Sequence, residues 1–157
     1  MKLRLCSIGK PHEKYIKDGV DDFTSRIQKY YLTDWQIIPP PKNAAALSEA
    51  DLKKAEALLV LSQLQKDDFL ILLDERGKQI SSIELSVLMQ QKANNSTKRI
   101  VFLIGGAFGV DEMIKQRANY IWSFSKLVFP HMLVRLMLAE QVYRACTIAR
   151  NEKYHHL

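Results

Sequence analysis

Two short apolar runs restrict the fold of this 157-residue chain more than any other feature. Residues 69–73 read FLILL, and residues 99–104 read RIVFLI. A short run without alternating polar residues is typical of a strand that is covered on both faces, as strands in a parallel sheet are. A sheet with one face in water would place polar residues at alternate positions. The two runs therefore predict an α/β fold.

Strand and helix patterns alternate along the rest of the chain. Three further strands are predicted at residues 2–8, 35–38 and 120–123. Apolar residues three and four positions apart, with Ser or Asp at several starts, predict helices at residues 14–31, 48–65, 81–93, 111–118 and from Pro130 onward. The charged residues 74–78 are predicted as a turn. This alternation favours a mostly parallel five-stranded sheet with helices on both faces, in a single domain of residues 1–157.

The composition is that of an ordinary globular protein with a basic surface. Hydrophobic residues make up 47% of the chain and charged residues 25%, and the net charge is +6. This charge favours a polyanionic partner such as nucleic acid. Cys6 and Cys146 lack metal or CxxC spacing, so we predict reduced thiols and no metal site. Because no signal-peptide pattern and no apolar run near the ~18 residues of a membrane span is present, we expect a cytoplasmic protein without membrane contact.

A glycine loop, GGAFG at residues 105–109, directly follows the fourth strand. Glycine lets the backbone approach a ligand closely, and open α/β sheets bind ligands at the carboxyl ends of their strands. From the loop alone, a tight turn without a ligand is the alternative. The residues that follow lack the lysine and hydroxyl of a phosphate-binding loop. A dinucleotide-binding signature would follow the first strand, where the sequence reads only SIGK at residues 7–10.

Pro130 begins a long helix that carries His131 and Arg135 near its start. Proline suits the first turn of a helix. His131 and Arg135 then share one face, close to the helix end whose free N–H groups favour polar or negatively charged ligands. Local capping by His131 and a surface position for Arg135 are the structural alternatives.

The body of the same helix is unusually apolar. Residues 132–142 contain too many apolar side chains for a helix that buries a single stripe, so we predict packing on the sheet and on a second surface. Glu140 has the spacing of an ion pair with Arg144.

Four long motifs occur in order along the chain. They are LLDERGK at residues 72–78, VFLIGGAFG at 101–109, SFSKLVFPHMLVRLMLAEQVYRA at 123–145 and EKYHH at 152–156. Together with the start KLRLCSIGKPHEKY, they resemble the SPOUT family of knotted S-adenosylmethionine-dependent RNA methyltransferases over essentially the whole chain. The resemblance implies N3-methylation of a pseudouridine in a stem-loop of 23S rRNA, on the assembled ribosome, by a homodimer.

The resemblance also implies particular site residues. Its S-adenosylmethionine contacts fall on Leu73, Gly105, Phe124, Ser125, Lys126, Leu127, Val128 and Phe129. Its reaction-site residues fall on His131, Arg135, Tyr154 and His155. The implied fold threads the C-terminal segment through a loop as a trefoil knot and uses the last helix in the dimer interface. His156 departs from the family's usual lysine or arginine, which predicts a pH-dependent contact with an rRNA phosphate.

Two questions stay open at the level of sequence. The proton on pseudouridine N3 is accepted by His131, by Tyr154 or by water. A non-catalytic RNA- or ribosome-binding protein of the same fold is the alternative function. It predicts damage to the glycine loop or to residues 123–129, and both motifs are intact. In direct displacement, the protein chiefly aligns the methyl donor with the nucleophile and excludes water.

Overall fold

The computed structural model describes residues 1–155, and the prediction for His156 lies outside this range. The strands are β1 (Lys2–Ile8), β2 (Leu32–Ile38), β3 (Phe69–Gln79), β4 (Arg99–Ile104) and β5 (Tyr120–Ser123). The helices are α1 (Lys14–Ile27), α2 (Glu49–Gln63), α3 (Ser82–Asn94), α4 (Glu112–Arg117) and α5 (His131–Ala149). A short 3-10 helix, Ala44–Ala46, precedes α2. Strands and helices alternate as predicted.

The five strands form one sheet in the order β2-β1-β4-β3-β5, and every neighbouring pair is parallel. The predicted α/β class and parallel sheet are confirmed. β4 lies at the centre, and its residues 100–104 are buried. Because all strands run in the same direction, the loops that follow β1, β4 and β5 leave from the same edge of the sheet.

Helices cover both faces of the sheet because side chains alternate along each strand. On one face, Phe102 of β4 lies in an apolar core with residues of α1, α3 and α5. On the other face, Val101 and Leu103 lie in a second core with residues of α2 and α4. Within residues 1–155, none of the helices is long and apolar enough to cross a lipid bilayer.

The end of α1 differs from the sequence prediction. α1 ends at Ile27 rather than at residue 31, and β2 begins at Leu32 rather than at residue 35. Tyr30 continues the apolar spacing of the helix, but its N–H donates to the Ile27 carbonyl in a turn. Its ring packs beside Tyr143 of α5, with 6.3 Å between ring centroids. The apolar spacing here reflects contact with α5 and not a longer helix.

The end of β3 also differs from the prediction. β3 continues to Gln79, through the charged residues that were predicted as a turn. Leu73 and Lys78 both stand opposite Trp122 of β5, so residues 74–77 bulge where the register breaks. Pairing with β5 holds this segment extended, and local composition carries no signal of a partner so distant in the sequence.

α5 packs against α1 and α3 as well as against the sheet, which accounts for its apolar composition. Leu136 lies against Gly19 of α1, and Ser86 of α3 donates a hydrogen bond of 2.8 Å to the carbonyl of Ala145. The second packing surface predicted for this helix therefore lies within the chain. Leu133, near the start of α5, remains 39% exposed. The trefoil knot stays a prediction from the resemblance.

We expect two glycines with equally close neighbours to respond differently to alanine. A Cβ at Gly77 would lie 2.8 Å from backbone atoms of Ile121 and Trp122, which β3–β5 pairing holds in place. A Cβ at Gly19 would lie 2.8 Å from Cδ1 of Leu136, a side-chain end that can rotate away. Gly77→Ala should lower the free energy of unfolding by about 1–3 kcal/mol.

Gly19→Ala is the matched control. Because alanine favours a helix interior over glycine, this variant should change the free energy of unfolding by less than about 1 kcal/mol. Urea unfolding of both variants provides the measurement. Equal losses would contradict rigid packing at Gly77.

Candidate active site

A cleft lies at the carboxyl edge of the sheet, where β4 and β5 end and the bulge of β3 begins. Leu73 of β3, Ile104 of β4 and Trp122 of β5 line it together. Residues of the glycine loop and of the segment 124–131 also line it. This is the position at which open α/β sheets bind ligands, because the loops after the strands converge there.

Most residues implied by the resemblance line this cleft. They are Leu73, Gly105, Phe124, Ser125, Leu127, Val128, Phe129 and His131. Lys126 is exposed and is not part of the lining. Arg135, Tyr154 and His155 also lie outside the lining.

Four apolar lining residues were not predicted as site residues from the sequence: Ile104, Val110, Trp122 and Val134. Trp122 directly precedes the SFSKLVF motif at the end of a predicted strand, and that position is the signal that identifies it. Val110 directly follows the glycine loop, and its position beside that motif is again the signal that identifies it. Val134 carries no sequence signal beyond its place one turn after His131.

The segment 124–129 leaves backbone groups available to a ligand. Ser123 Oγ donates to the carbonyl of Ser125 at 2.8 Å, and the Leu127 N–H donates to Ser125 Oγ at 3.0 Å. These bonds shape a tight turn that leaves the Leu127 and Val128 side chains 67% and 79% exposed. Among the described residues, the N–H groups of Lys126 and Val128 have no hydrogen-bond acceptor. Backbone groups of this kind can hydrogen-bond the polar edge of a ligand.

The glycine loop packs closely against Val110 and against Glu56 of α2. A Cβ at Gly105 would lie 2.6 Å from Cγ1 of Val110. A Cβ at Gly106 would collide with the carboxyl group of Glu56 from α2. Burial raises the pKa of this Glu56 carboxyl group. A side chain at either position would therefore require Val110 or Glu56 to shift.

His131 and Arg135 are separated by one helical turn and have different surroundings. His131 lines the cleft, and burial together with the neighbouring Arg135 cation lowers its pKa. Arg135 is only 1% exposed. Its Nε donates to Ser7 Oγ at 3.0 Å and its Nη1 to the carbonyl of Lys10 at 2.8 Å. Arg135 thus ties the loop after β1 to α5, and it forms no salt bridge with any carboxylate in the described part of the chain.

His12 is a further member of this group that the sequence analysis missed. Its Nδ1 lies 3.3 Å from Nη1 of Arg135. A guanidinium group can only donate, so Nδ1 accepts and the proton of the neutral ring is on Nε2. Burial and the Arg135 cation lower the pKa of His12. Arg135 therefore adds to the effect of burial in lowering the pKa of both imidazoles.

Tyr154 and His155 contact the middle of α5, away from the cleft. The Tyr154 hydroxyl donates to Glu140 Oε1 at 3.1 Å, and its ring lies 4.7 Å from the Arg144 guanidinium carbon. His155 Nδ1 lies 3.5 Å from Arg144 Nη1. The predicted Glu140–Arg144 ion pair is confirmed.

The structure consequently separates the proposed reaction-site residues into two groups. Glu140, to which Tyr154 is bonded, follows His131 by nine residues on one helix. At ~1.5 Å per residue, this corresponds to about 13 Å along the helix axis. Within one chain, Tyr154 is therefore not brought beside His131.

Comparisons with known proteins give matches in sequence and in fold. The family described as "Predicted SPOUT methyltransferase" matches residues 1–155. A protein named ribosomal RNA large subunit methyltransferase H from Cytophaga hutchinsonii is 44% identical over 99% of this chain and 100% of its own length. The protein of the same name from Flavobacterium johnsoniae is 45% identical over 99% of both chains. The crystal structure of a probable methyltransferase from Bordetella pertussis Tohama I shares the fold, with TM-score 0.57, 12% identity and coverage of 92% of this chain and 94% of that chain.

We expect Arg135 to control the protonation of both neighbouring imidazoles. Arg135→Met keeps an apolar stem of similar length but removes the cation that contributes to the lowered pKa of His131 and His12. Both pKa values should therefore rise toward the usual value of about 6.5. NMR titration of the imidazole Cε1–H signals measures the change.

Arg150→Met is the matched control for this experiment. It removes the same charge from an exposed residue at the other end of α5. The two pKa values should not move in this variant. Unchanged values in Arg135→Met, or equal changes in both variants, would contradict the role given to Arg135.

Proposed function

This chain belongs to the SPOUT methyltransferase family and is a methyltransferase, and from this membership we propose that it methylates N3 of a pseudouridine in a 23S rRNA stem-loop, using S-adenosylmethionine. The observation that carries the proposal is the cleft, which contains every implied cofactor position except Lys126. The names of the two relatives support ribosomal RNA as the substrate, and the net charge of +6 suits a polyanion. The assembled ribosome is the proposed form of the substrate, because a chain this small has little surface with which to read RNA alone.

The residues of the cleft fit this cofactor. Leu73, Leu127 and Phe129 provide apolar surfaces for the faces of an adenine ring, and the free backbone N–H groups of the segment 124–129 suit its polar edge. Asp74 and Glu75 line the cleft with negative charge, which complements the positive charges of a sulfonium and an ammonium group. The buried indole N–H of Trp122 has no partner among the described residues, so a donor is available for an acceptor of the cofactor.

The chain's own residues are proposed to orient both reactants and to accept one proton. S-adenosylmethionine supplies a methyl group that its sulfonium centre already activates. His131 is at the cleft, and its lowered pKa leaves a neutral imidazole at pH 7 that can accept the N3 proton. Tyr154 is less suited to that role, because burial and the nearby Glu140 carboxylate raise its pKa and keep its hydroxyl protonated. We therefore assign the proton to His131 and a substrate-binding role to Tyr154 and His155.

Arg135 is proposed to act without touching the substrate. It is buried and forms no salt bridge among the described residues, and burial lowers its pKa more than the nearby Glu13 carboxylate raises it. A positive charge one helical turn from His131 favours the neutral imidazole and the anionic form of N3. Arg135 is thus a positioning residue that also supplies favourable electrostatics.

A homodimer is proposed because one chain leaves the reaction site incomplete. His131 lines the cleft, whereas Tyr154 and His155 pack near the middle of α5. Leu127 and Val128, which line the cleft, and Leu133, two residues after His131, are exposed apolar residues that we take together as an apolar patch. A second copy that covers this patch would bring its own C-terminal segment toward the cleft.

The test of the proposed function is methyl transfer to ribosomes from a strain that lacks this gene. We expect a methyl group on N3 of a pseudouridine of the large subunit, and poorer transfer to protein-free rRNA. Mass spectrometry of nuclease digests locates the methyl group. A methyl group at another position, or on transfer RNA, would overturn the proposed substrate.

Gly105→Val is the inactive control for this experiment. Since even a Cβ at this position would meet Val110, a valine displaces the loop that lines the cleft. Calorimetry should show no binding of S-adenosylmethionine, while circular dichroism shows a folded protein. Phe108→Ser changes an exposed side chain of the same loop that does not line the cleft, and it should bind like wild type. If Gly105→Val also binds like wild type, the cofactor site lies elsewhere.

Leu133→Glu tests the proposed dimer. A carboxylate in the exposed apolar patch should give a monomer with reduced methyl transfer, because burying an unpaired charge is unfavourable. Leu58→Glu, at a similarly exposed leucine on α2 away from the cleft, should remain dimeric. Light scattering at the assay concentration gives the mass. A wild-type protein that is monomeric and active at this concentration would contradict the proposed dimer.

A further inference from the structure

Trp122 contains a buried hydrogen-bond donor with no acceptor. The residue is 3% exposed, and less than 1 Å² of its Nε1 atom is accessible. Within residues 1–155, Nε1 is the sole buried side-chain nitrogen or oxygen without a partner. The other tryptophan, Trp35, donates its indole N–H to Thr24 Oγ1 at 2.9 Å. Buried indole N–H groups usually find a partner, so the difference between the two residues needs an explanation.

Trp122 lines the apolar part of the cleft. It is the next-to-last residue of β5 and stands opposite Leu73, which lines the cleft together with Ile104. Its ring meets the ring of Phe124 edge to face, with 4.6 Å between centroids and an interplanar angle of 85°. Phe102, on the core side, is further away at 6.3 Å. The ring closest to the indole is therefore one that a ligand in the cleft contacts.

We propose that the Trp122 indole N–H donates a hydrogen bond to a ring nitrogen of the cofactor's adenine, and so makes Trp122 a specificity-determining residue. This inference rests on the proposed use of S-adenosylmethionine. An indole N–H can only donate, and the unprotonated ring nitrogens of adenine can only accept. The methionine part of the cofactor carries charges that suit the polar rim at Asp74 and Glu75, and not a sealed apolar wall.

The bond forms with a movement of Phe124. Because less than 1 Å² of Nε1 is accessible, an acceptor reaches it only when a neighbouring side chain shifts. Phe124 both packs edge to face against Trp122 and lines the cleft. A base that presents an N–H at the same position would leave two donors facing each other. If the bonded nitrogen is N1, the site therefore selects adenine over its deaminated analogue hypoxanthine, which carries a proton on N1.

The two tryptophans make a direct test possible. In protein labelled with ¹⁵N-tryptophan, Trp35→Phe and Trp122→Phe assign the two indole signals. Titration with S-adenosylhomocysteine, which cannot transfer a methyl group, should move the Trp122 indole proton downfield and leave that of Trp35 in place. A saturated complex with an unmoved Trp122 signal would overturn the inference, since the donor would then already be satisfied by the Phe124 ring or by a buried water.

Affinity measurements provide an independent readout. Trp122→Phe should weaken S-adenosylhomocysteine binding roughly tenfold in calorimetry, and Trp35→Phe should not. We then compare the 1-, 3- and 7-deaza analogues of S-adenosylhomocysteine. The analogue that lacks the bonded nitrogen should bind wild type roughly tenfold more weakly than S-adenosylhomocysteine does. The same analogue should bind Trp122→Phe as well as S-adenosylhomocysteine binds that variant. Equal binding of all three analogues to wild type would overturn the inference even if Trp122→Phe folds poorly. If wild type binds neither S-adenosylmethionine nor S-adenosylhomocysteine, the proposed cofactor itself is wrong.

Discussion

The parallel pairing of β4, β3 and β5 is the constraint on which the candidate site depends. It places Leu73 between Ile104 and Trp122 in the sheet, although these residues are far apart in the sequence. The pairing of β3 with β5 has a strict steric condition, because residues 74–77 bulge against the backbone of β5 and Gly77 has no room for a side chain there. A change in this bulge would move Asp74 and Glu75, which line the cleft, together with the end of the edge strand. Fold and site are therefore coupled at this bulge.

The buried Arg135 links the site to the other half of the sheet. A cation that is 1% exposed and has no carboxylate partner in the described chain is costly, and hydrogen bonds to Ser7 and to the Lys10 carbonyl offset only part of that cost. The remaining cost is understandable if the charge has a function. It lowers the pKa of two histidines, His12 and His131, and it fixes the loop after β1 against the start of α5. The same group thus serves both packing and the electrostatics of the cleft.

Local sequence pattern was sufficient to predict the strands and helices whose bounds are not changed by contacts with distant segments. β1, β4 and β5 have the predicted bounds, and Ser81 with Glu84 forms the predicted capping box at the start of α3. Long motifs also located most of the cleft lining. The predictions that failed depend on contacts between distant segments of the chain. The charge of residues 74–78 indicated exposure but not pairing with β5, and the spacing of Tyr30 indicated contact with α5 rather than helix. The burial of Arg135 was not predictable, because its partners lie more than a hundred residues earlier. They are Ser7 of β1 and, in the loop that follows, the Lys10 carbonyl and His12.

The environments of His131 and Tyr154 move their pKa values in opposite directions, and this divides their roles. Burial and Arg135 lower the pKa of His131, which suits its proposed role as a neutral base, while burial and Glu140 raise the pKa of Tyr154, which suits a hydrogen-bond donor. Groups whose environments separate their pKa values in this way are suited to complementary tasks at one reaction centre. Within one chain they are divided by about 13 Å of helix. A centre that uses both would therefore take them from two chains, as in the proposed homodimer. A second chain could cover the exposed apolar residues Leu127, Val128 and Leu133. In the proposed function, dimerisation would complete the reaction site, and added stability would be a secondary consequence.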